Sequence, residues 1–282
     1  MYIYRDISGL QKHLDKLRIE GGTIGFVPTM GALHEGHMAL VTQMNDACDH
    51  SVVSIFVNPT QFNDPGDLTR YPKPIEDDIK KLYDNHCDIV FIPSVDEVYP
   101  NGAEPDPQLG FDGLDERMEG QFRPGHFGGV AQVMHRLLTI VNPQRLFMGQ
   151  KDFQQSAIVK HMISHYHLPV KFVTCPTVRE SDGLAMSSRN RMLDPKLRDK
   201  TALIFQALRQ AKEDIDKKSV ADIRERAMKT LTVPDFRPEY FEIADGITLL
   251  PVKDPAAHEF IVACVAVWAG DVRLIDNMII RG

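Results

Sequence analysis

The stretch Thr23-Ile24-Gly25-Phe26-Val27-Pro28-Thr29-Met30-Gly31-Ala32-Leu33-His34-Glu35-Gly36-His37 decides the fold. Its first seven residues form a short apolar run, the signature of a strand buried on both faces of a parallel sheet. A glycine-bearing polar turn follows at once, and Met38 to Cys48 then has the texture of a helix. Strand, glycine turn and helix make up the unit with which open α/β sheets bind ligands at their carboxyl edge. Gly31 and Gly36 let a backbone approach a ligand closely, and a helix N-terminus offers N–H groups and partial positive charge to a phosphate. His34 and His37 are three residues apart, so one helical turn sets both on the same face. Gly31 and Gly36 have the spacing of a P-loop. His37 and Met38, however, stand where that motif needs Lys and Ser/Thr, so the reading is rejected.

Outward from this stretch the pattern repeats. Ser51 to Asn58 (SVVSIFVN) reads as a second strand, Ile75 to Asn85 as a helix and Ile89 to Ser94 as a third strand. Tyr99 to Pro124, rich in Gly, Pro and acids, reads mostly as loop. Gly128 to Val141 reads as a helix, Leu146 to Met148 as a strand, Asp152 to Tyr166 as a helix and Val170 to Cys175 as a strand. Such alternation predicts βαβ units and a parallel sheet. Beyond about Val178 the texture changes. Pro195 to Lys217 and Ala221 to Leu231 read as amphipathic helices, and Phe241–Ala244, Glu259–Ala269 and Arg273–Ile280 as strands. The fold class is therefore α/β. A Rossmann-like parallel-sheet domain is expected over residues 1–177 and a smaller C-terminal α+β domain over 178–282, a division compatible with a chain of 282 residues.

With 39 acidic against 32 basic side chains, the formal charge is −7, which gives a long polyanion no general attraction and argues against a nucleic-acid partner. A small anionic substrate needs a local cationic pocket built against that global charge. The longest apolar run, Phe260 to Gly270, is too short to span a bilayer. The first residues lack the basic start and apolar stretch of a signal peptide, so the expectation is a cytoplasmic protein without membrane attachment. Cys48, Cys87, Cys175 and Cys264 are far apart, form no CxxC pair, and are expected as four reduced, buried thiols.

Further constellations fall at the same predicted sheet edge. In Asn58-Pro59-Thr60-Gln61-Phe62, Asn and Gln supply neutral groups that read a hydroxyl or carboxylate. In Gly149-Gln150-Lys151-Asp152-Phe153-Gln154-Gln155, Lys151 is a mobile cation suited to phosphate. Asp152 could cap the helix or bind a ribose hydroxyl or Mg²⁺, and Gln155 lies one turn in. Met186-Ser187-Ser188-Arg189-Asn190 joins two hydroxyls to a guanidinium in a polar loop, the makings of an anion clamp. Arg123 and His126 read as a lid over the cleft or as a simple turn. Asp77 and Asp78 read first as a solvated helix face, with a role in holding Mg²⁺ as the alternative. His161, His165 and His167 lack the partners of a zinc site, and no protein-bound metal is expected.

Together these strings resemble the pantothenate synthetase (pantoate–β-alanine ligase) family over essentially the whole chain. The histidine loop is the HxGH signature of the nucleotidylyltransferase superfamily, while FVNPTQF, RPGHF, KDFQQ, SSRN and LIDN (Leu274 to Asn277) are more specific. The resemblance implies a reaction in which (R)-pantoate attacks the α-phosphorus of ATP to give pantoyl adenylate and pyrophosphate, after which β-alanine displaces AMP. It implies that Met30, Gly31, His34, Gly36 and His37 line the ATP site, with His37 as the catalytic residue assisted by His34, Lys151 and Arg189. Gly149, Gln150, Lys151, Asp152 and Val178 would contact the nucleotide, and Met186, Ser187, Ser188 and Arg189 would form the mobile loop that closes over the phosphates. Gln61 and Gln155 would hold pantoate, with Gln61 also near β-alanine. Mg²⁺ with ATP and a homodimer are implied as well. Gln150 stands where the family more often has Glu. The SSR loop lacks the lysines of the related synthetase motif, so Lys151 and Arg189 must supply the cation. The competing reading is another HxGH enzyme, an adenylyl- or cytidylyltransferase, against which the NPTQF and KDFQQ strings speak.

Overall fold

The computed structural model describes residues 1–63, 65–103 and 108–282. Its centre is the strand read first. β2 (Ile24–Thr29) is buried at every residue but Pro28, because strands hydrogen-bond to it on both edges. Among the described residues six strands form a wholly parallel sheet, β1 (Tyr2–Tyr4), β2, β3 (His50–Ile55), β4 (Ile89–Phe91), β5 (Arg145–Gly149) and β6 (Lys171–Cys175), in the spatial order β1-β4-β3-β2-β5-β6. The chain winds outward from β2 through β3 to β4, then returns to the other side of β2 with β5. That reversal puts the topological switch point between β2 and β5, the place where such sheets leave a crevice beyond their carboxyl ends.

The sheet is closed tightly by the helix Glu35–Ala47. Val41 and Met44 of that helix are fully buried with Val27, Val53 and Val90 of the strands. A Cβ on Gly25 would lie 2.5 Å from the Met44 side chain, so only glycine lets helix and strand approach this closely. Two N-terminal elements had no sequence reading. β1 is only three residues long, and the helix Ile7–Ile19 is started by Asp6, whose carboxylate accepts the Gly9 N–H at 2.7 Å. Its Leu10 and Leu14, one turn apart, are fully buried.

The chain divides into two compact units. The first comprises Met1–Asp115, Arg123–Gly149 and Gln155–Pro176. The second comprises Glu116–Phe122, Gln150–Gln154 and Thr177–Gly282. In the second unit β7 (Phe236–Asp245), β8 (Ile261–Ala269) and β9 (Val272–Arg281) form an antiparallel meander. The helices Ala202–Asp214 and Val220–Leu231 pack on it through Leu208, Ile223, Leu231, Phe241, Val265 and Leu274. On other positions of the sheet a buried ion network forms. Arg273 donates to both oxygens of Glu119 at 2.7 and 2.8 Å and through Nε to Glu239 at 2.9 Å, while the Tyr240 hydroxyl donates to Glu119 at 2.7 Å.

Some expectations change in detail. The helix expected over Pro195–Lys217 is broken into Pro195–Arg198, a 3₁₀ turn Asp199–Thr201 and Ala202–Asp214. Arg198 there is drawn into an ion pair with Asp182, and the Thr201 hydroxyl donates back to the Arg198 carbonyl at 2.6 Å. The stretch Tyr99–Pro124 holds a short helix, Glu119–Phe122, and its residues 104–107 lie outside the described residues. Cys87, Cys175 and Cys264 are buried reduced thiols, but Cys48 is only half-buried because it caps the end of the helix Glu35–Ala47. Among the described residues no helix is long and apolar enough to cross a membrane.

Candidate active site

The histidine loop is held from below. After β2 the chain turns through Gly31 (φ +82°) and Ala32 (φ +51°), left-handed conformations that a loop keeps only when its surroundings impose them. Asp78 imposes them here. Its carboxylate, on the helix Ile75–Asp84, accepts the N–H of Ala32 at 2.8 Å and of Leu33 at 2.7 Å. A Cβ on Gly31 would sit 3.0 Å from Asp78 Oδ2. Lys81, one turn further on, donates to the Leu33 carbonyl at 2.6 Å. Asp78 is 1% exposed, so it does not lie on the solvated face expected from the sequence, and each of its oxygens accepts a backbone N–H. Asp77 is exposed.

The two histidines cap the helix reciprocally. His34 is the N-cap, and its Nδ1 accepts the Gly36 N–H at 3.1 Å, while His37 Nδ1 accepts the His34 N–H at 3.3 Å. Their rings lie 4.1 Å apart between centroids. Because each Nδ1 is an acceptor, the proton of each neutral imidazole sits on Nε2. The loop thus joins two imidazole N–H donors to the positive end of a helix dipole, at the carboxyl end of β2 and beside the switch point. That is an anion-binding arrangement.

Beyond β3, Gln61 sits in a braced turn. Asn58, 1% exposed, donates to the Gly129 carbonyl at 3.1 Å and to Gln61 Oε1 at 3.3 Å, and accepts the Tyr99 hydroxyl at 3.0 Å. Gln61 Nε2 lies 3.0 Å from Met30 Sδ, which links this turn to the histidine loop. His126 Nδ1 lies 2.7 Å from the Gln61 carbonyl, and Arg123 lies 3.1 Å from His126 Nε2. A carbonyl only accepts, so Nδ1 carries the proton and Nε2 accepts from the guanidinium. Arg123 and His126 therefore buttress the Gln61 turn. Sequence reasoning missed Tyr99, whose signal is visible only in space: burial pushes its hydroxyl up to about 12.

β5 ends at Gly149, beside β2 in the sheet. The residues that follow belong to the second unit. Lys151 has a side chain 18% exposed, with Nζ 3.5 Å from Asp152 Oδ1. Gln154 pins this segment by accepting the Glu119 N–H at 3.0 Å and donating to the Arg117 carbonyl at 2.8 Å. In the same unit the Val178 carbonyl accepts the Met186 N–H at 3.0 Å, and Ser187 Oγ accepts the Arg189 N–H at 3.3 Å to open a 3₁₀ turn that includes the buried Ser188. Gln155, half-buried, opens the first-unit part of the helix Phe153–His165. Within the first unit, then, Met30, Gly31, His34, Gly36, His37 and Gln61 come together. Lys151, Asp152, Val178 and Met186–Arg189 belong to the second. His161 bonds the Gly110 carbonyl at 2.8 Å, and among the described residues no group of three or more His, Cys, Asp or Glu could hold a metal.

A parallel sheet with a reciprocally capped histidine loop at its switch point defines an α/β protein with an anion-binding carboxyl edge. Comparison with known proteins narrows this. The Pantoate-beta-alanine ligase family model matches residues 2–279. A pantothenate synthetase from Azobacteroides pseudotrichonymphae is 45% identical over 99% of both chains, and one from Phocaeicola vulgatus is 45% identical over the full length of both. Among solved structures, pantothenate synthetase from Thermus thermophilus is similar at a TM-score of 0.92, with 39% identity and complete coverage of both chains. Pantoate-beta-alanine ligase from Francisella tularensis, described as complexed with beta-gamma ATP and beta-alanine, is similar at 0.82, with 33% identity, 99% of this chain and 98% of that one covered. The chain belongs to the pantoate–β-alanine ligase family.

Proposed function

We propose that the protein condenses (R)-pantoate with β-alanine at the expense of ATP, through a pantoyl adenylate. A pantoate carboxylate oxygen attacks the α-phosphorus, the bond to the β-phosphate oxygen breaks, and pyrophosphate leaves. The β-alanine amine then attacks the acyl carbon, loses a proton, and expels AMP. Neither step needs a covalent bond to the protein, so positioning and charge stabilisation are its whole contribution. His37 and His34 meet the charge that develops on the phosphates, with the helix N-terminus behind them. Lys151 and Arg189 supply cations, and Gly149, Gln150, Asp152, Val178 and Met186–Ser188 contact the nucleotide. Gln61 and Gln155 take the hydroxyl and carboxylate of pantoate, and Gln61 also approaches β-alanine. Residues 1–177 act as the ATP- and pantoate-binding domain and 178–282 as the lid domain.

Mg²⁺ enters in this reading as part of the nucleotide substrate. Asp78, whose oxygens each accept a backbone N–H, holds the histidine loop, and Asp152 lies beside the Lys151 ammonium. A homodimer in the cytoplasm completes the proposal. The observation that carries it is the reciprocal His34–His37 cap at the β2 edge, in a chain that matches this ligase family from end to end. The test is exchange of labelled pyrophosphate into ATP with Mg²⁺ present and no amine. Exchange that requires (R)-pantoate, followed by AMP release on adding β-alanine, is expected. A folded protein that binds ATP but exchanges nothing would refute the reaction.

A further inference from the structure

The side chain of Asn277, on β9, is 2% exposed and reaches the Lys151 segment. Its Nδ2 donates to two consecutive carbonyls, Gln150 at 2.9 Å and Lys151 at 2.6 Å, and its Oδ1 accepts from Gln150 Nε2 at 3.3 Å. Carbonyls only accept, so the amide has one possible orientation and uses both of its hydrogens. Two successive peptide planes are thereby fixed at the root of the Lys151 side chain.

Asn277 is itself held. Its N–H donates to Asp276 Oδ1 at 2.7 Å, and its carbonyl accepts from Arg179 at 3.1 Å. Asp276, 3% exposed, takes both arms of the same guanidinium at 2.5 and 3.0 Å. Arg179 also donates to the Gly183 carbonyl at 3.0 Å and stacks over Phe205 at 4.6 Å. Neighbours on a strand point to opposite faces. Asp276 and Asn277 use this to tie the loop that leads to Met186–Arg189 on one side and the Lys151 segment on the other.

We infer that Asn277 is the positioning residue for Lys151. It fixes the backbone of residues 150–152 so that the ammonium meets the phosphates of the nucleotide, and it touches no substrate. The inference rests on the reading of Lys151 as a phosphate-binding cation. Lysine is a point charge on a flexible stem, so the direction in which it leaves the backbone decides how often the charge is in place.

The test is a double-mutant cycle. Asn277→Asp, which keeps the shape but loses both donors, is combined with Lys151→Ala, and pantoate-dependent pyrophosphate exchange is measured for all four proteins. Asn277→Asp alone is expected to lower kcat by about 100-fold, as a misplacement of roughly 1 Å does, with the KM for pantoate little changed. In the Lys151→Ala background the same substitution should change the rate by less than about threefold, since the group it positions is already gone. Asn277→Ser, which keeps one donor, should recover part of the rate and serves if the aspartate variant does not fold. Equal fold-losses in both backgrounds, or wild-type turnover in Asn277→Asp, overturn the inference and leave the proposed reaction standing. Full exchange by Lys151→Ala overturns the reading of Lys151 and this inference with it. Absence of exchange in the unmodified protein overturns the reaction itself.

Discussion

Replacing Asp78 by asparagine tests whether the histidine loop is built by that one carboxylate. The wild-type group accepts two backbone N–H bonds, at 2.8 and 2.7 Å, in a site 1% exposed to solvent. Each bond to a charged acceptor is worth about 1.5–3 kcal/mol, and an abandoned buried donor costs a similar amount. Asparagine keeps one acceptor, now neutral, and turns an NH₂ group against the second N–H. The loop should therefore lose about 2–3 kcal/mol, which at 1.4 kcal/mol per tenfold is a factor of about 30 to 150. Native-state hydrogen exchange reads this directly: the amides of Ala32 and Leu33 should exchange faster by that factor, while amides in β2 and β3 change little. Turnover should fall in parallel, because His34 and His37 follow the loop by one to four residues. Exchange at Ala32 and Leu33 within about threefold of wild type would refute the argument.

Removing the His37 imidazole with His37→Ala should cost about 10²–10³ in turnover or more, with the circular dichroism spectrum unchanged; a near-normal rate removes His37 from the chemistry. Arg273→Ala strands Glu119 and Glu239, whose side chains are 9% and 15% exposed. It should destabilise the second unit by about 3–5 kcal/mol, read in urea by Trp268, which is the chain's single tryptophan and donates to Glu239 at 2.5 Å. Burial pushes Asp245 up, but the N–H of Thr248, the His258 ring and the N–H of Ile247 outweigh it and hold the carboxyl down to about 2. Its folded value lies below the ordinary value of about 3.9, so the stability it lends is complete above about pH 4 and is lost as pH falls toward 2. Asp245→Asn should flatten that part of the acid dependence of the Trp268 urea midpoint; an unchanged slope would show that Asp245 does not cause it.

The parallel sheet was legible because β2 (IGFVPT) is largely apolar and β3 (HSVVSI) is built around Val52, Val53 and Ile55, as burial on both faces favours. The HxGH loop was legible because its glycines and histidines lie within a few residues of one another. What escaped was long-range. The helix expected from Met38 begins at Glu35: histidine is not among the usual caps, and only the reciprocal bonding with His37 makes His34 one. Asp78 looked like a member of a charged face since nothing in Glu76-Asp77-Asp78 announces contact with a loop 45 residues away. Tyr99, Asn58 and Asn277 do their work across 41 to 127 residues of chain. A single cut between 177 and 178 leaves residues 116–122 and 150–154 with the first part of the chain, whereas spatially they group with the second. The residues that hold them, Arg273 and Asn277, come near its end.

That ordering has a consequence for synthesis. Lys151 leaves the ribosome 126 residues before the asparagine that grips its backbone. At about 5–20 residues per second, elongation takes roughly 6–25 s to bridge the gap. For that interval the nascent sheet can already fold around β2 while the Lys151 segment is pinned through Gln154, which bonds Glu119 and Arg117, but lacks the grip of Asn277 on its own carbonyls. The Lys151 segment thus gains its asparagine only with β9, and a chain cut short before that strand would keep its histidines and lose this hold on its lysine.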